Sequence, residues 1–573
     1  MYVVHDFDKF KDVEYQRPNF KNATADFNST LKIMKKTADY AEFKNALLRC
    51  EKIFTSVQTM CTVAYIRNTL DMNDKFYDNE EKFLNKANGK FSLCYLKFIK
   101  TLLNCPFKKE LAEDYGEFFI KDMEMNQKVV SPKIIMLSIK QGLLCNKYSK
   151  IAALCQTEFQ GEKRNFYGLL KFMQSTDREV RKQAFNAWAD LYASVAEKLD
   201  EVYDELVKIR VKIAQKLNFP SFIDYIYIAN GRYDYKREDV DKFREYVKTY
   251  IVPLCQKLYE KQRADLGVDK LFMYDEELTF KEGNAVPVGD KDALVMKAEE
   301  MYAELSPETG DFFRFMREHE LFDLETRNGK HLGGYCTYLP LFGAPFIFSN
   351  FNGTSADVDV LTHEAGHAFQ AYLAFKEVPF VSQVGSTSEI CEIHSMTMEH
   401  FTYPYMDKFF GENADKYRYH HLVKAVECIP YLVCVDEFQH RVFEKPDMTA
   451  AERRQVWRSI EKYYMPWRDY DGNKFLDEGG FWMQKQHIFL YPFYYIDYAL
   501  AQTCAFQLFL RGRENFAAAW QNYMNLCRAG GTKGYFDLLK VANLNSPFDE
   551  NTVKSVAENI EKVIDEFQEK LNK

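Results

Sequence analysis

The chain lacks the sequence features of membrane proteins and of most nucleic-acid-binding proteins. Its 573 residues contain no apolar run of 18 or more, so we predict no membrane-spanning helix and no membrane partner. No Lys- or Arg-rich segment stands out and the net charge is −8, which argues against nucleic acid as a partner. Residues 1–20 are charged and lack the apolar centre of a signal peptide, so no secretion signal is predicted.

C-x-x-C pairs are also absent, although the chain has 13 cysteines. An odd number of scattered cysteines without a pairing framework is typical of reduced thiols, so we predict a cytoplasmic protein. There is no internal repeat, low-complexity tract or linker, and hydrophobic residues make up 47% of the chain. The length and composition therefore favour a globular protein with an extensive hydrophobic core.

One long helix is predicted near the end of the first third of the chain. Residues 176–179 form a capping-box sequence, and apolar residues then recur at helical spacing through residues 180–217. This run predicts a helix of about 40 residues that ends at Asn218 and Pro220.

The sequence before this helix is also helical in pattern. Residues 27–169 show helical apolar spacing and contain little Gly or Pro. We therefore predict a mainly α protein, with an N-terminal helical lobe over residues 1–174. The second region, residues 175–573, carries the motifs described next.

The most informative motif is H-E-x-x-H at His363, Glu364 and His367. On a helix, residues four apart share one face, so both imidazoles can reach one metal ion. Glu364 lies beside the first ligand and can contact a metal-bound water without binding the metal itself. Zinc hydrolases use this arrangement of a Lewis acid, an open water position and a carboxylate. The alternative is a solvated helix that carries two ordinary histidines.

The third metal ligand is predicted to be a carboxylate. The longer pattern H-E-x-x-H-x-x-G-x-x-H would require Gly and His where this chain has Gln370 and Leu373, which excludes that class. Pro379 and Gly385 end the first helix, so a later acid must come from a second helix.

That second helix is predicted to begin near Ser386. Ser386 and Glu389 fit a capping box, which would account for Glu389. Glu392, one turn later, is then available as the third ligand. Glu399 falls on the same face, and Asp359 precedes His363 by one turn. Either acid could accept the second N–H of a ligating histidine, or could be a solvated surface charge.

These motifs resemble the thimet oligopeptidase and oligoendopeptidase F family of gluzincin-type zinc peptidases. The resemblance is carried by residues 359–367, by residues 392–396, and by the interval between His367 and Glu392. It is closest to the oligoendopeptidase F and Pz-peptidase branch and extends from about Asp177 to Pro547. Gln370 departs from many members, which have a further histidine there that does not bind zinc.

The resemblance implies a fold, a cofactor and a reaction. The fold would be a large two-lobed helical metallopeptidase, with a deep substrate channel and a small β-sheet beside the zinc-binding helix. One zinc ion per chain would be held by His363, His367 and Glu392, and Glu364 would activate a zinc-bound water. The substrates would be short, unstructured peptides, hydrolysed at internal bonds. Residues 175–573 would form the catalytic region.

Two aromatic segments just before the metal motif predict the strands of that sheet, namely residues 333–339 and 344–351. Pro345 predicts that the second segment is an outer strand. We hypothesise that this edge pairs with an extended peptide, which would give affinity without strict sequence demands. The alternative is a hairpin that simply packs on the helices.

A second chemical cluster lies near the C-terminus. The polar tips of His487, Tyr491 and Tyr498 crowd together there, with His487 to Tyr491 predicted as a loop because Pro492 suits the first turn of a helix. In the family, a histidine and two tyrosines seven residues apart follow the zinc motif, and they match these three residues. Their hydroxyl and imidazole groups would stabilise the oxyanion formed during hydrolysis. Ordinary packing is the alternative in a chain with 37 tyrosines.

Two other functions remain open at this stage. The first is a zinc carboxypeptidase of similar helical build, which would also take a glutamate ligand from a second helix. The second is a non-enzymatic peptide-binding protein, against which the presence of Glu364 argues, since such a protein needs no general base.

Overall fold

The computed structural model describes residues 7–327, 329–331 and 333–572. Helices account for 73% of the chain, which confirms the predicted mainly α fold. Within the described residues, no helix is both long enough and apolar enough to span a membrane. Buried apolar side chains between residues 148 and 567, with a few from residues 10–66, join one large hydrophobic core.

The N-terminal region is a bundle of helices with its own aromatic core. Phe27, Phe43 and Phe98 lie in this core and are almost completely buried. Asn19 and Asp39 cap the first two helices by accepting hydrogen bonds from backbone N–H groups, as N-cap residues do. The helices are α1 (Phe20–Lys36), α2 (Tyr40–Leu70), α3 (Lys75–Leu103), α4 (Lys108–Tyr115), α5 (Glu117–Val129) and α6 (Ile135–Leu154).

The predicted long helix is present. A short hairpin of β1 (Thr157–Phe159) and β2 (Glu162–Arg164) and the helix α7 (Phe166–Leu170) lead to α8 (Arg178–Lys216). The predicted capping box was wrong by one residue, because Asp177 rather than Thr176 accepts hydrogen bonds from the N–H groups of the first turn. The helix ends where predicted, and Asn218 follows with a left-handed φ of 62°.

The remaining helices surround the metal motif. The helix carrying that motif, Ala356–Glu377, packs against the helix Ser388–Phe401, which packs in turn against the helix Tyr495–Glu514. The last helix buries Ile560, Val563 and Ile564 against the large core. The helices are α9 (Phe222–Ala229), α10 (Arg237–Tyr246), α11 (Val252–Leu266), α12 (Lys291–Leu305), α13 (Pro307–Glu318), α14 (Ala356–Glu377), α15 (Ser388–Phe401), α16 (Met406–Phe410), α17 (Ala414–Glu444), α18 (Ala450–Tyr464), α19 (Lys474–Asp477), α20 (Gln486–Leu490), α21 (Tyr495–Glu514), α22 (Phe516–Ala529), α23 (Tyr535–Val541) and α24 (Glu550–Leu571).

A small sheet lies beside α14, as the resemblance implied. It contains β3 (Phe322–Glu325), β4 (Tyr335–Leu339) and β5 (Ala344–Phe351), in the order β3-β5-β4. The prediction of an outer strand at 344–351 was wrong, because β5 is central, parallel to β3 and antiparallel to β4. Pro345 is tolerated there because β3 reaches β5 only from Ile347 onward, so the missing N–H of Pro345 interrupts no ladder.

The segment between α14 and α15 joins the metal-binding helices to the N-terminal bundle. Phe380 is buried within the aromatic core of that bundle. The N–H of Val381 donates a hydrogen bond to the buried carboxyl of Glu51 on α2. Gln383 Nε2 donates to the carbonyl oxygen of Tyr115 at 2.7 Å. A displacement of the N-terminal bundle would therefore be transmitted directly to the ends of α14 and α15.

Candidate metal centre

His363, His367 and Glu392 converge between α14 and α15. Glu392 Oε2 lies 3.2 Å from His363 Nε2 and 3.4 Å from His367 Nε2, and the three donor atoms lie within 4.8 Å of one another. A tetrahedral zinc ion with ligand bonds of about 2.1 Å separates its donors by about 3.4 Å. The geometry and chemistry of this donor set therefore fit zinc, with a fourth position left for water.

Gly366 allows α15 to approach α14 closely enough to complete this set. A Cβ atom at position 366 would lie 2.7 Å from Ser395 Cα and 2.8 Å from the carbonyl oxygen of His394. Both contacts are with backbone, which cannot rotate away. A residue without a side chain is thus required between Glu364 and His367 for Glu392 to reach the histidines.

Glu364 lies beside the donor set but outside it. Its side chain is buried, and burial raises the pKa of its carboxyl, while the nearby imidazoles lower it. The chain leading into β4 passes directly over it, since a Cβ atom at Gly334 would lie 3.6 Å from Glu364 Oε1. Glu364 therefore has the raised pKa and the position expected of a general base at the metal.

Glu399 contacts the ring nitrogen of His363 that does not face Glu392. His363 Nδ1 lies 2.5 Å from Glu399 Oε1, and His421 Nε2 lies 2.8 Å from Glu399 Oε2. Burial raises the pKa of Glu399, but its contacts with the two histidines outweigh that effect and bring the pKa to about 2. The carboxylate is thus ionised and accepts from both imidazoles, which leaves His363 Nε2 free to face the metal. Sequence reasoning did not identify His421.

Asp359 does not contact the metal-binding histidines. It was expected to accept the second N–H of one of them, but its Oδ1 accepts a hydrogen bond from Tyr417 Oη at 2.6 Å. The Tyr417 ring packs against His421, with ring centroids 5.5 Å apart. Asp359 is therefore linked to Glu399 only indirectly, through Tyr417 and His421.

Tyr494 orients the third candidate ligand, and sequence reasoning assigned it no role. Its hydroxyl donates to Glu392 Oε1 at 2.6 Å, while Ser395 Oγ donates to Glu392 Oε2 at 2.9 Å. Each oxygen of Glu392 thus has a fixed partner, and Oε2 is held towards the two imidazoles. The signal available in the sequence was the position of Tyr494 among the tyrosines of the C-terminal cluster.

The C-terminal cluster folds differently from its prediction. The segment containing His487 is the short helix α20 rather than a loop, and α21 begins at Tyr495, so Pro492 lies outside it. The His487 ring lies 6.2 Å from the ring of Tyr498 and 5.9 Å from that of Tyr491. The three predicted residues are therefore close together.

These three residues differ in their exposure to solvent and to the metal centre. Burial lowers the pKa of His487 to about 3, so the imidazole is neutral and can donate one hydrogen bond. Burial raises the pKa of Tyr498 well above 10, and the nearby carboxylates of Glu392 and Glu364 raise it further. Tyr491 is 56% exposed and lies farthest outside the cluster.

The predicted capping role of Glu389 was wrong. The helix α15 begins at Ser388 with Thr387 as its N-cap, so Ser386 lies outside it. Glu389 is buried and accepts a hydrogen bond from Tyr235 Oη at 3.3 Å. It belongs to a buried polar cluster with Arg232, which in turn contacts Asp497 at the start of α21.

Comparison with known proteins places these features in a family. Residues 171–558 match peptidase family M3, and residues 10–130 match the peptidase M3 N-terminal domain. Oligopeptidase PepF of Bacillus subtilis is 22% identical over 94% of this chain and 82% of its own length. The oligoendopeptidase F homolog of Borreliella burgdorferi is 22% identical, over 88% of this chain and 87% of its own. The solved structure of Pz peptidase A with an inhibitor is 45% identical, with a TM-score of 0.95, over 97% of this chain and 99% of that one.

Proposed function

The chain belongs to peptidase family M3 and is a metalloendopeptidase; we propose that its metal is a single zinc ion and its substrates are short, unstructured peptides. The observation that carries the zinc assignment is the spacing of the three donors. Glu392 Oε2 lies 3.2 Å from His363 Nε2 and 3.4 Å from His367 Nε2, and all three donors lie within 4.8 Å of one another, which supports a site for a tetrahedral zinc ion. Zinc, when bound there, supplies a Lewis acid for a water molecule and for the peptide carbonyl.

The protein's own groups then move the proton. Glu364, beside the donor set, takes a proton from the attacking water and passes it to the leaving amine. The Tyr498 hydroxyl and the neutral His487 imidazole donate to the oxygen on which negative charge develops. Tyr491, which is more exposed, contacts this oxygen or the substrate from the outer side of the cluster.

In this proposal, the arrangement of the two lobes restricts the substrates to short peptides. We propose that the N-terminal lobe, residues 1–174, and the catalytic region, residues 175–573, enclose a channel that admits only short peptides. The two lobes approach each other beside this cluster, where the rings of Tyr148 on α6 and Phe489 on α20 stack with their centroids 4.0 Å apart. An extended peptide pairs with β4, the outer strand beside Glu364. The free cysteines support a cytoplasmic location.

The experiment is cleavage of a mixed pool of short peptides, read by mass spectrometry, with zinc content assayed in parallel. It compares the wild type with Glu364→Gln, each with and without a chelator. The matched control is Glu377→Gln, at the exposed end of the same helix. We expect internal cuts by the wild type and the control, none after chelation, and nearly none by Glu364→Gln despite one zinc per chain.

Other results would contradict parts of this proposal. Wild-type rates in Glu364→Gln would exclude Glu364 as the base. Trimming confined to peptide C-termini would favour a zinc carboxypeptidase, and bound zinc without any cutting would favour a peptide-binding protein.

A further inference from the structure

A lysine without an acidic partner among the described residues lies beside the C-terminal cluster of His487, Tyr491 and Tyr498. Lys485 immediately precedes α20, and its Nζ lies 5.1 Å from the ring centroid of Tyr495 and 5.5 Å from that of Tyr431. The side chain is half-buried. Across residues 7–327, 329–331 and 333–572, no carboxylate forms an ion pair or hydrogen bond with it.

Other lysines in comparable surroundings are paired. Lys330 is buried and contacts Asp323 at 2.6 Å, and Lys424 contacts Glu427 at 2.7 Å. A desolvated ammonium group is costly unless an anion or several acceptors compensate it. At Lys485 the two tyrosine rings offer only the weaker attraction of their π faces. Among the described residues no carboxylate compensates this charge, so the ammonium group is available to an anion of a bound ligand.

The surroundings of Lys485 connect it to the reaction centre. The Tyr495 ring that it contacts lies 4.9 Å from the ring of His487 and 5.6 Å from that of Tyr498. Lys485 also contributes, after burial, to the lowered pKa of His487. Its ammonium group is therefore separated from the proposed oxyanion donors by one aromatic side chain, that of Tyr495.

We propose that Lys485 binds a carboxylate of the peptide substrate while the scissile bond lies at the metal centre. This inference rests on the proposed peptidase function and adds a determinant of specificity to it. The carboxylate can be the free C-terminus of the peptide or the side chain of an Asp or Glu. If it is the C-terminus, the enzyme cuts at a fixed distance from the end of the peptide.

Burial lowers the pKa of Lys485 to about 8, so the ammonium form still dominates at neutral pH. The ionisable groups that face it are Tyr431 from α17, Tyr495 from α21 and His487 from α20. Burial raises the pKa of Tyr431 well above 10 and lowers that of His487 to about 3. Because the α-amino group of a peptide also titrates near pH 8, a change in carboxylate binding there reports Lys485 when Lys485→Arg does not show it.

The test combines enzyme variants with matched peptides. Lys485→Met removes the charge and keeps an unbranched side chain, Lys485→Arg keeps the charge, and Lys474→Met at an exposed site is the control. The peptides share one sequence and carry a free C-terminus, an amidated C-terminus, or an amidated C-terminus with one added Glu. The kcat/KM value and the cut positions are measured for each combination.

We expect Lys485→Met to lower kcat/KM by about 10- to 100-fold for the peptide whose carboxylate is recognised, and to leave the amidated peptide nearly unchanged. The recognised peptide identifies the source of the carboxylate. If that source is the C-terminus, cut positions lose their fixed distance from it in Lys485→Met. Lys485→Arg should keep the preference for the peptide with the recognised carboxylate. It should keep this preference above pH 8 as well, where the wild type loses it.

Two outcomes overturn the inference while the peptidase function stands. One is a wild type that cuts all three peptides equally well. The other is a Lys485→Met variant that loses activity equally on all three, which indicates a structural role. Failure of the proposed function would look different, because the wild type would then cut no peptide or Glu364→Gln would cut as fast as the wild type.

Discussion

The hydroxyl of Tyr494 donates a hydrogen bond of 2.6 Å to Glu392 Oε1, and so joins the start of α21 to the third candidate ligand on α15. The two residues are 102 positions apart in the chain. This contact leaves Glu392 Oε2 as the oxygen that faces His363 and His367. The aromatic cluster and the metal centre therefore form one hydrogen-bonded unit.

Replacing Tyr494 with Phe should weaken zinc binding by about 10- to 100-fold, because Glu392 would lose the donor that orients it. Competition with a chelator of known affinity measures the change, and excess zinc should restore much of the activity. Tyr491→Phe, at an exposed position, should bind zinc as the wild type does. Equal zinc affinity in Tyr494→Phe and the wild type would refute the orienting role.

Glu399→Gln should also reduce zinc affinity by about 10- to 100-fold. A Gln amide has only one acceptor atom, so it cannot accept from both His363 Nδ1 and His421 Nε2 as Glu399 does. Asp359→Asn is the matched comparison, and we expect a smaller change because Asp359 contacts Tyr417 instead. The same chelator competition decides between them; a larger loss in Asp359→Asn would reverse the assignment.

Gly366→Ala should destabilise the protein by about 1–3 kcal/mol and lower its zinc affinity, since the new Cβ would meet the backbone of α15. The midpoint of thermal unfolding and the zinc content report the two effects. Gly142→Ala on α6 is the control, because a Cβ atom there has nothing within 4 Å. That change should be neutral or slightly stabilising. A Gly366→Ala protein with wild-type stability and zinc content would contradict the packing argument.

Tyr498→Phe should lower kcat by about 100-fold and change KM much less, because a donor to the oxyanion acts mainly in the transition state. Steady-state kinetics on one defined peptide separate the two parameters. The same substitution at the more exposed Tyr491 should have a smaller effect on kcat. An effect of Tyr498→Phe on KM alone would assign the hydroxyl to substrate binding.

Glu51 makes stability depend on pH. Burial raises the pKa of its carboxyl to about 8, although the hydrogen bond from Val381 N–H lowers it. The folded protein then holds a proton that the unfolded chain releases near pH 4.5. The stability that Glu51 contributes is therefore complete below pH 4.5 and is lost as the pH rises through 8.

Glu51→Gln should remove this loss, because the amide keeps an acceptor for Val381 N–H and carries no charge. We expect the variant to gain up to several kcal/mol over the wild type at pH 8 and little at pH 5. Denaturant unfolding at the two pH values measures the difference. Glu569→Gln, at an exposed position on α24, should show no such dependence. A gain of equal size at both pH values would exclude ionisation as the cause.

Local patterns predicted the parts of the protein that depend on neighbours in the chain. The long helix α8 and the mainly α fold followed from apolar spacing, since periodicity reports which face of a helix is buried. The pairing of His363 with His367 on one face of α14 follows from helical geometry alone. The exact ends and caps of helices were less predictable, because several neighbouring residues can cap a helix equally well. The N-cap of α8, which is Asp177 and not Thr176, is an example.

The sequence by itself therefore determined the mainly α fold, the long helix α8, the H-E-x-x-H pair and the type of chemistry that the motif indicates. The tertiary structure alone decided the partner of Asp359, the central position of β5 and the contact between Tyr494 and Glu392. It also decided that Lys485 has no acidic partner among the described residues. These relationships depend on how distant helices pack, and packing places residues side by side without leaving any periodic signal in the sequence.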